Sequence, residues 1–171
     1  LNLVSEGPRG PVVPRSIEDF RVNMAALEPM RQLRKAGFAL VVTTNQPGVS
    51  RGWLPRRELD RMHDLLRRVL PVDDILVCPH DDEDGCSCHK PEVGLLTEAA
   101  FKWHLDLERS FVVSDKWQDA EAARRVGCTS LLLKSPWVGG GHHDFVGNDL
   151  EEITRRILEY NARSVLLMDQ F

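Results

Sequence analysis

The chain has 171 residues, 42% of them apolar and 28% charged, the balance of a soluble globular protein long enough to bury one full core. Its 26 acidic and 22 basic residues leave a formal charge of −4, which speaks against a broad nucleic-acid-binding face. No apolar run approaches the roughly 20 residues that span a bilayer, and Leu1-Asn2-Leu3-Val4-Ser5-Glu6 carries neither a basic nor a long apolar stretch, so neither a membrane anchor nor a secretion signal is expected.

Residues 5–15, rich in Gly and Pro, read as a surface loop. A helix is expected over 25–36, with Pro29 in its first turn and Gly37 as its stop. The continuous apolar run Phe38-Ala39-Leu40-Val41-Val42-Thr43 suits a strand buried on both faces. Residues 55–70 carry Leu59, Met62, Leu65, Leu66, Val69 and Leu70 on one stripe and predict an amphipathic helix. Strands follow at 74–78, 111–115 and 130–133. Helices are expected at 92–104, at 117–126 with Gly127 as its stop, and at 149–160 with Asp149 as N-cap. Ser164-Val165-Leu166-Leu167-Met168-Asp169 reads as a last strand. Strands alternating with helices of this length imply right-handed βαβ units and a three-layer, Rossmann-like α/β domain with a mainly parallel sheet over residues 1–171. The insertions after Thr44 and around residues 78–88 are too short for a large cap domain. Ligands of such sheets sit at the carboxyl ends of the strands. The polar residues closing each strand are therefore the ones to weigh: Thr44-Asn45-Gln46, Cys78-Pro79-His80, Ser114-Asp115-Lys116 and Asp169.

Three of the four cysteines, Cys78, Cys86 and Cys88, fall within eleven residues, together with His80. A secreted disulfide scaffold would spread its cysteines to close long loops. Cys78-x-His80 followed by Cys86-x-Cys88 instead makes a closed Cys₃His zinc site of structural type, in a reducing, cytoplasmic setting. The alternative is that Cys78 merely ends a buried strand. Thr44-Asn45-Gln46-Pro47-Gly48 offers a hydroxyl and amides at a strand end, where an anionic oxygen can be held. Taken alone it is an ordinary polar turn. Asp115, with Asp119 one turn on, suits Mg²⁺, although Asp119 equally suits a helix N-terminus. Lys90 directly follows the cysteine loop, where its charge can offset a phosphate, or simply face solvent. His142-His143 reads as an exposed loop pair, His63 and His104 as structural, Cys128 as a buried apolar residue. Trp53 and Trp117 directly follow two of the polar turns, where either can wall a pocket.

Taken together, three motifs resemble the haloacid dehalogenase-like phosphohydrolases over nearly the whole chain. They are Val41-Val42-Thr43-Thr44-Asn45-Gln46-Pro47-Gly48-Val49-Ser50-Arg51-Gly52, then Cys78-Pro79-His80 with Cys86-Ser87-Cys88-His89-Lys90-Pro91, then Val113-Ser114-Asp115-Lys116 with Asp119. The cysteine loop running into Lys-Pro resembles the branch of the D-glycero-D-manno-heptose 1,7-bisphosphate phosphatases and the histidinol-phosphatase domain, and Arg51-Gly52 leans toward the former. The resemblance implies Mg²⁺-dependent hydrolysis of a small-molecule sugar phosphate by a monomeric, cytoplasmic enzyme. It further implies Thr44, Asn45, Arg51 and Lys90 as phosphate- and substrate-binding residues, Lys90 as catalytic, and Asp115 as a Mg²⁺ ligand.

Two positions depart from that pattern. His89 stands where the family has Arg. The family also opens on an apolar strand ending in Asp-x-Asp-Gly, and no such motif occurs here; Leu1-Asn2 matches the residues just after it. Val165-Leu166-Leu167-Met168-Asp169 has the form of that strand, with Asp169 as nucleophile and second Mg²⁺ ligand. Three readings stand side by side: a permuted chain in which this tail supplies the first strand between 38–43 and 111–115, a truncated chain with an unrelated tail, or a descendant that binds phosphate or a partner without turnover. A nucleic-acid 3′-phosphatase shares the Thr-Asn-Gln turn, but the acidic balance and the cysteine loop weigh against it.

Overall fold

The computed structural model describes residues 1–3, 5–7, 10–136 and 138–168. Its elements in chain order are β1 (Ser5–Gly7), β2 (Gly10–Val12), α1 (Leu27–Lys35), β3 (Val41–Asn45), α2 (Arg56–Val69), β4 (Asp74–Cys78), α3 (Gly94–Trp103), β5 (Phe111–Ser114), α4 (Trp117–Val126), β6 (Thr129–Leu133), β7 (Phe145–Gly147) and α5 (Leu150–Met168). The βαβ alternation read from the sequence is borne out. β3 pairs in parallel with β4, from Val41 opposite Asp74 to Asn45 opposite Cys78. β5, β6 and β7 form a second parallel ladder in that order. β1 and β2 pair antiparallel within the stretch expected to be a loop.

Successive β4 side chains point to opposite faces, and the core divides accordingly. Ile75 joins Leu59, Met62 and Leu66 of α2 in one buried cluster. Leu76 and Cys78 join Leu95 and Ala99 of α3 in another. A third cluster seats Ile153 and Ile157 of α5 on Leu131 of β6. Helices thus cover both faces of the parallel strands, which is why these strands read as unbroken apolar runs. Local stops work as expected. Gly127 takes φ +79° after α4 and its N–H reaches the Ala123 and Arg124 carbonyls. Asp149 caps α5, accepting a hydrogen bond from the Glu152 N–H at 2.8 Å.

Two expectations at the carboxyl end of the chain are corrected. β7 is a short strand that the Gly-rich stretch before it concealed. Residues 164–168 are not a strand: they continue α5 without interruption. Nothing between Leu150 and Met168 breaks a helix, since the segment holds neither Gly nor Pro, and an apolar run such as Val165-Leu166-Leu167-Met168 serves a helix end as well as a strand. Asp169 lies outside the described residues.

β3 and β5 share no ladder. A cavity of about 2160 Å³ runs between them, lined by residues 41–45 and 111–115. Both strands stay only half-buried as a result, and Val113 is 38% exposed in the middle of β5. Among the described residues no helix is long and apolar enough to cross a membrane.

Candidate active site

The site lies at the carboxyl ends of β3 and β5, where Thr44-Asn45-Gln46 and Ser114-Asp115-Lys116 line this cavity together with Lys90 from the loop after β4. The turn after β3 is wound tightly onto the neighbouring strand. Gln46 N–H donates to the Cys78 carbonyl at 2.8 Å, Ser50 N–H to the Pro79 carbonyl at 3.2 Å, and Trp53 N–H to the Gly48 carbonyl at 2.8 Å. Leu54, buried beneath, anchors the end of the turn.

Cys78, His80, Cys86 and Cys88 come together as the sequence spacing predicts, with their donor atoms within 4.8 Å of one another. The Cys78 Sγ lies 3.6 Å from both Cys86 Sγ and His80 Nδ1, Cys86 Sγ lies 3.5 Å from Cys88 Sγ, and His80 Nδ1 lies 3.3 Å from Cys88 Sγ. A tetrahedron around zinc with bonds of about 2.3 Å has edges of about 3.7 Å, so the donor set has the size of that ion. The thiols are also at odds without a cation. Burial, together with the Cys88 and Cys86 sulfurs, pushes the Cys78 thiol up to about 12. Burial acts on Cys86 too, but hydrogen bonds from the Cys88 and His89 backbone and from the neighbouring thiols bring it down to about 7. A divalent cation removes this conflict by favouring every thiolate at once. Gly94 lets this loop pack on α3. Its N–H donates to the Ser87 carbonyl at 2.8 Å, and a Cβ there would stand 2.4 Å from the same oxygen.

His89, the departure from the family pattern, does not project as a free cation. Its Nε2 lies 2.8 Å from Asp82 and its Nδ1 lies 3.1 Å from the His80 carbonyl. It braces the cysteine loop instead.

Lys90 is held from three sides. Asn45 brackets its backbone, accepting from the Lys90 N–H and donating to the Lys90 carbonyl, both at 3.1 Å. The Lys90 ammonium donates to the Thr43 carbonyl at 3.0 Å and to Asp119 at 2.5 Å. The Asp119 carboxylate also accepts from the Ser114 hydroxyl at 2.9 Å. Lys90 and Asp119 are 8% and 7% exposed, so this is a buried ion pair. Asn45 and Asp119 therefore position Lys90, a role the residue types alone did not separate from anion or cation binding. The Thr44 hydroxyl accepts from the Gln46 amide at 3.0 Å, which leaves its proton to donate. Asp115 lines the cavity, and its carboxylate accepts no hydrogen bond from the described residues; its backbone carbonyl is tied to the Ser135 hydroxyl at 2.6 Å. A carboxylate at a strand end that is not taken up by such hydrogen bonds fits Mg²⁺, which keeps several waters and needs one or two such ligands.

Arg51 turns to Asp81, making two hydrogen bonds to its carboxylate, and lies 3.7 Å from Asp82. The Arg51 guanidinium draws the Asp81 carboxyl below its usual range. Asp81 also caps the short turn Asp82–Asp84, so Arg51 is fastened to the cysteine loop. Neither Asp81 nor Gly94 was singled out by the sequence. An acidic run does not tell which of its carboxylates takes which partner, and a Gly at a helix start signals close approach only once its neighbour is known. Of the residues set aside, Cys128 and His63 are buried, His142 is exposed and His143 is half-buried.

The chain matches a family model described as HAD-hydrolase-like over residues 87–152. It is 35% identical to the D-glycero-beta-D-manno-heptose-1,7-bisphosphate 7-phosphatase of Pseudomonas putida, over 71% of this chain and 72% of that one. It is 33% identical to the enzyme of the same name from Bordetella bronchiseptica, over 82% and 80% of the two chains. The crystal structure of the D,D-heptose 1,7-bisphosphate phosphatase from B. bronchiseptica, complexed with magnesium and phosphate, superposes with a TM-score of 0.74 at 28% identity, covering 85% of this chain and 88% of that one. With these relatives and with the parallel sheet, the cysteine loop and Lys90 in place, the chain belongs to the haloacid dehalogenase-like phosphatases, in the branch of the heptose-1,7-bisphosphate 7-phosphatases.

Proposed function

We propose that the protein is a Mg²⁺-dependent phosphomonoesterase that removes one phosphate from a sugar bisphosphate, heptose 1,7-bisphosphate being the substrate its relatives point to. The observation that carries this reading is the convergence of Thr44, Lys90 and Asp115 on one cavity, with Lys90 locked in a buried ion pair. The Thr44 hydroxyl donates to a phosphoryl oxygen. The Lys90 ammonium, already oriented by Thr43 and Asp119, has one proton left to offset the charge that develops there. Asp115 holds Mg²⁺, which when bound supplies a Lewis acid for the phosphoryl group. Cys78, His80, Cys86 and Cys88 hold a structural zinc with no open position.

Acyl-phosphate chemistry needs a nucleophilic carboxylate. In this reading it reaches the phosphorus from the space between β3 and β5. The half-buried Val41, Val42, Phe111 and Val112 along that space suit an extended apolar segment ending at the carboxyl edge.

Phosphate release from heptose 1,7-bisphosphate with Mg²⁺ tests the proposal. Asp115→Asn and Lys90→Met should each cost at least about a hundredfold in kcat, the scale of losing one preorganised electrostatic group. Loss of turnover in Asp169→Asn would place the nucleophile on the tail. Phosphate binding without any turnover would favour the binding role instead, and full activity of Asp115→Asn would end the reading.

A further inference from the structure

The mouth of the cavity carries two arginines on one tryptophan. Trp53 closes the turn after β3 and is 55% exposed although its backbone is pinned to Gly48. The Arg51 guanidinium lies 5.2 Å from the Trp53 ring centroid and the Arg15 guanidinium 5.7 Å from it, and all three residues line the cavity that holds Thr44, Lys90 and Asp115. The two cations differ in one respect. Arg51 spends its charge on Asp81 and Asp82. Arg15 has no carboxylate within ion-pair distance among the described residues, and the indole ring is its one recorded contact.

A guanidinium held over an aromatic face keeps its edge, and hence its five N–H donors, free to bind. The ring also limits the conformations it must give up on binding. Lys90 is buried and Arg15 exposed on the lining of one cavity, which Arg109 and Lys116 also line, so an inner cation, Lys90, and an outer one, Arg15, are both offered to a ligand. A sugar with one phosphate meets the first; a sugar with two phosphates can meet both.

We infer that Arg15, oriented by Trp53, binds the phosphate that is not transferred and thereby sets the preference for a bisphosphate over a monophosphate. The inference rests on the phosphatase reading above and names the residue that gives it selectivity. Arg51, neutralised by Asp81, serves to hold Trp53 to the metal loop and so fixes the platform on which Arg15 rests.

Calorimetric titration without Mg²⁺, which keeps the enzyme from consuming its ligands, measures three of them: inorganic phosphate, heptose 7-phosphate and heptose 1,7-bisphosphate. In the unaltered protein the bisphosphate should bind more tightly than the monophosphate. Arg15→Gln should cut that ratio about tenfold, the effect of one charge-assisted hydrogen bond at a partly exposed site. Arg15→Lys should restore only part of it, because an ammonium offers no planar fork. Trp53→Leu, which leaves Arg15 in place but unguided, should reduce the ratio in the same direction. Steady-state kinetics should place the Arg15→Gln effect in KM rather than kcat. A ratio within twofold of the unaltered protein in Arg15→Gln, with inorganic phosphate still bound, overturns the role of Arg15 and leaves the phosphatase reading intact. Failure of the unaltered protein to bind inorganic phosphate at all overturns both.

Discussion

Replacing Lys90 by Met separates the structural from the chemical work of the site. The Met stem keeps most of the packing volume, so the change removes chiefly the charge. Asp119 then stays buried at 7% exposure, keeping its bond from the Ser114 hydroxyl and losing its counter-ion. Breaking one half of a buried pair costs about 3–5 kcal/mol, because the partner charge is left unmatched. The Ser114 bond argues for the lower end, about 3 kcal/mol. For a chain of this size that is roughly 6–12 °C in Tm. Urea unfolding followed by circular dichroism should show a lower midpoint with an unchanged slope, since the surface exposed on unfolding is the same. Asp119→Leu strands the ammonium instead and should cost a similar amount. The double variant Lys90→Met/Asp119→Leu removes both charges and should be more stable than the two single effects predict by more than about 1 kcal/mol, the signature of direct coupling. A Lys90→Met midpoint within about 0.5 kcal/mol of the unaltered protein, or strictly additive single effects, would refute the buried-pair argument.

Three further predictions follow from the same site and core. Removing zinc with a chelator should lower Tm by roughly 8–16 °C, taking about 4 kcal/mol for an ion held at a thousand times its Kd, and zinc but not magnesium should restore it; an unchanged Tm would remove the metal from Cys78, His80, Cys86 and Cys88. Gly94→Ala forces a Cβ to within 2.4 Å of the Ser87 carbonyl, so the backbone next to Cys88 must move; stability should fall by about 1–3 kcal/mol and zinc affinity, read by competition with a chromophoric chelator, by at least about tenfold. His63 on α2 is buried, and that burial, with Arg67 nearby, lowers its pKa in the folded state. The unfolded chain then binds the proton more readily, so stability is fully present above about pH 6.5 and is lost as the pH falls through and below that value. His63→Gln should flatten the pH dependence of the urea midpoint between pH 7 and pH 5, and an unaltered slope would count against it.

Periodicity and punctuation in the sequence were enough for β4 and α4, whose bounds match residue for residue, because Gly127 and the compact apolar run at 74–78 are local signals. The clustering of Cys78, His80, Cys86 and Cys88 was legible for a related reason: four donors within eleven residues can meet whatever the rest of the chain does. Lys90 and Asp115 were legible as candidates, Asp115 because parallel sheets bring strand ends together and Lys90 because it directly follows the cysteine loop. Their partners were not. That Asn45 brackets Lys90, that Asp119 neutralises it, and that Asp81 takes up Arg51 depend on side chains separated by 45, 29 and 30 positions, and the choice between ion pair, cap and ligand is made by which group arrives within hydrogen-bond reach. The tail illustrates the same limit from the other direction. Val165-Leu166-Leu167-Met168 carries no period that separates a strand from a helix end, and the outcome was decided by the fifteen residues before it, which propagate a helix more cheaply than a new strand can nucleate. Local chemistry, in short reach along the chain, is what the sequence by itself determined; which charges face one another was decided only when β3, β4 and β5 were brought together in space, because a Coulomb or hydrogen-bond energy depends on distance in space and not along the chain.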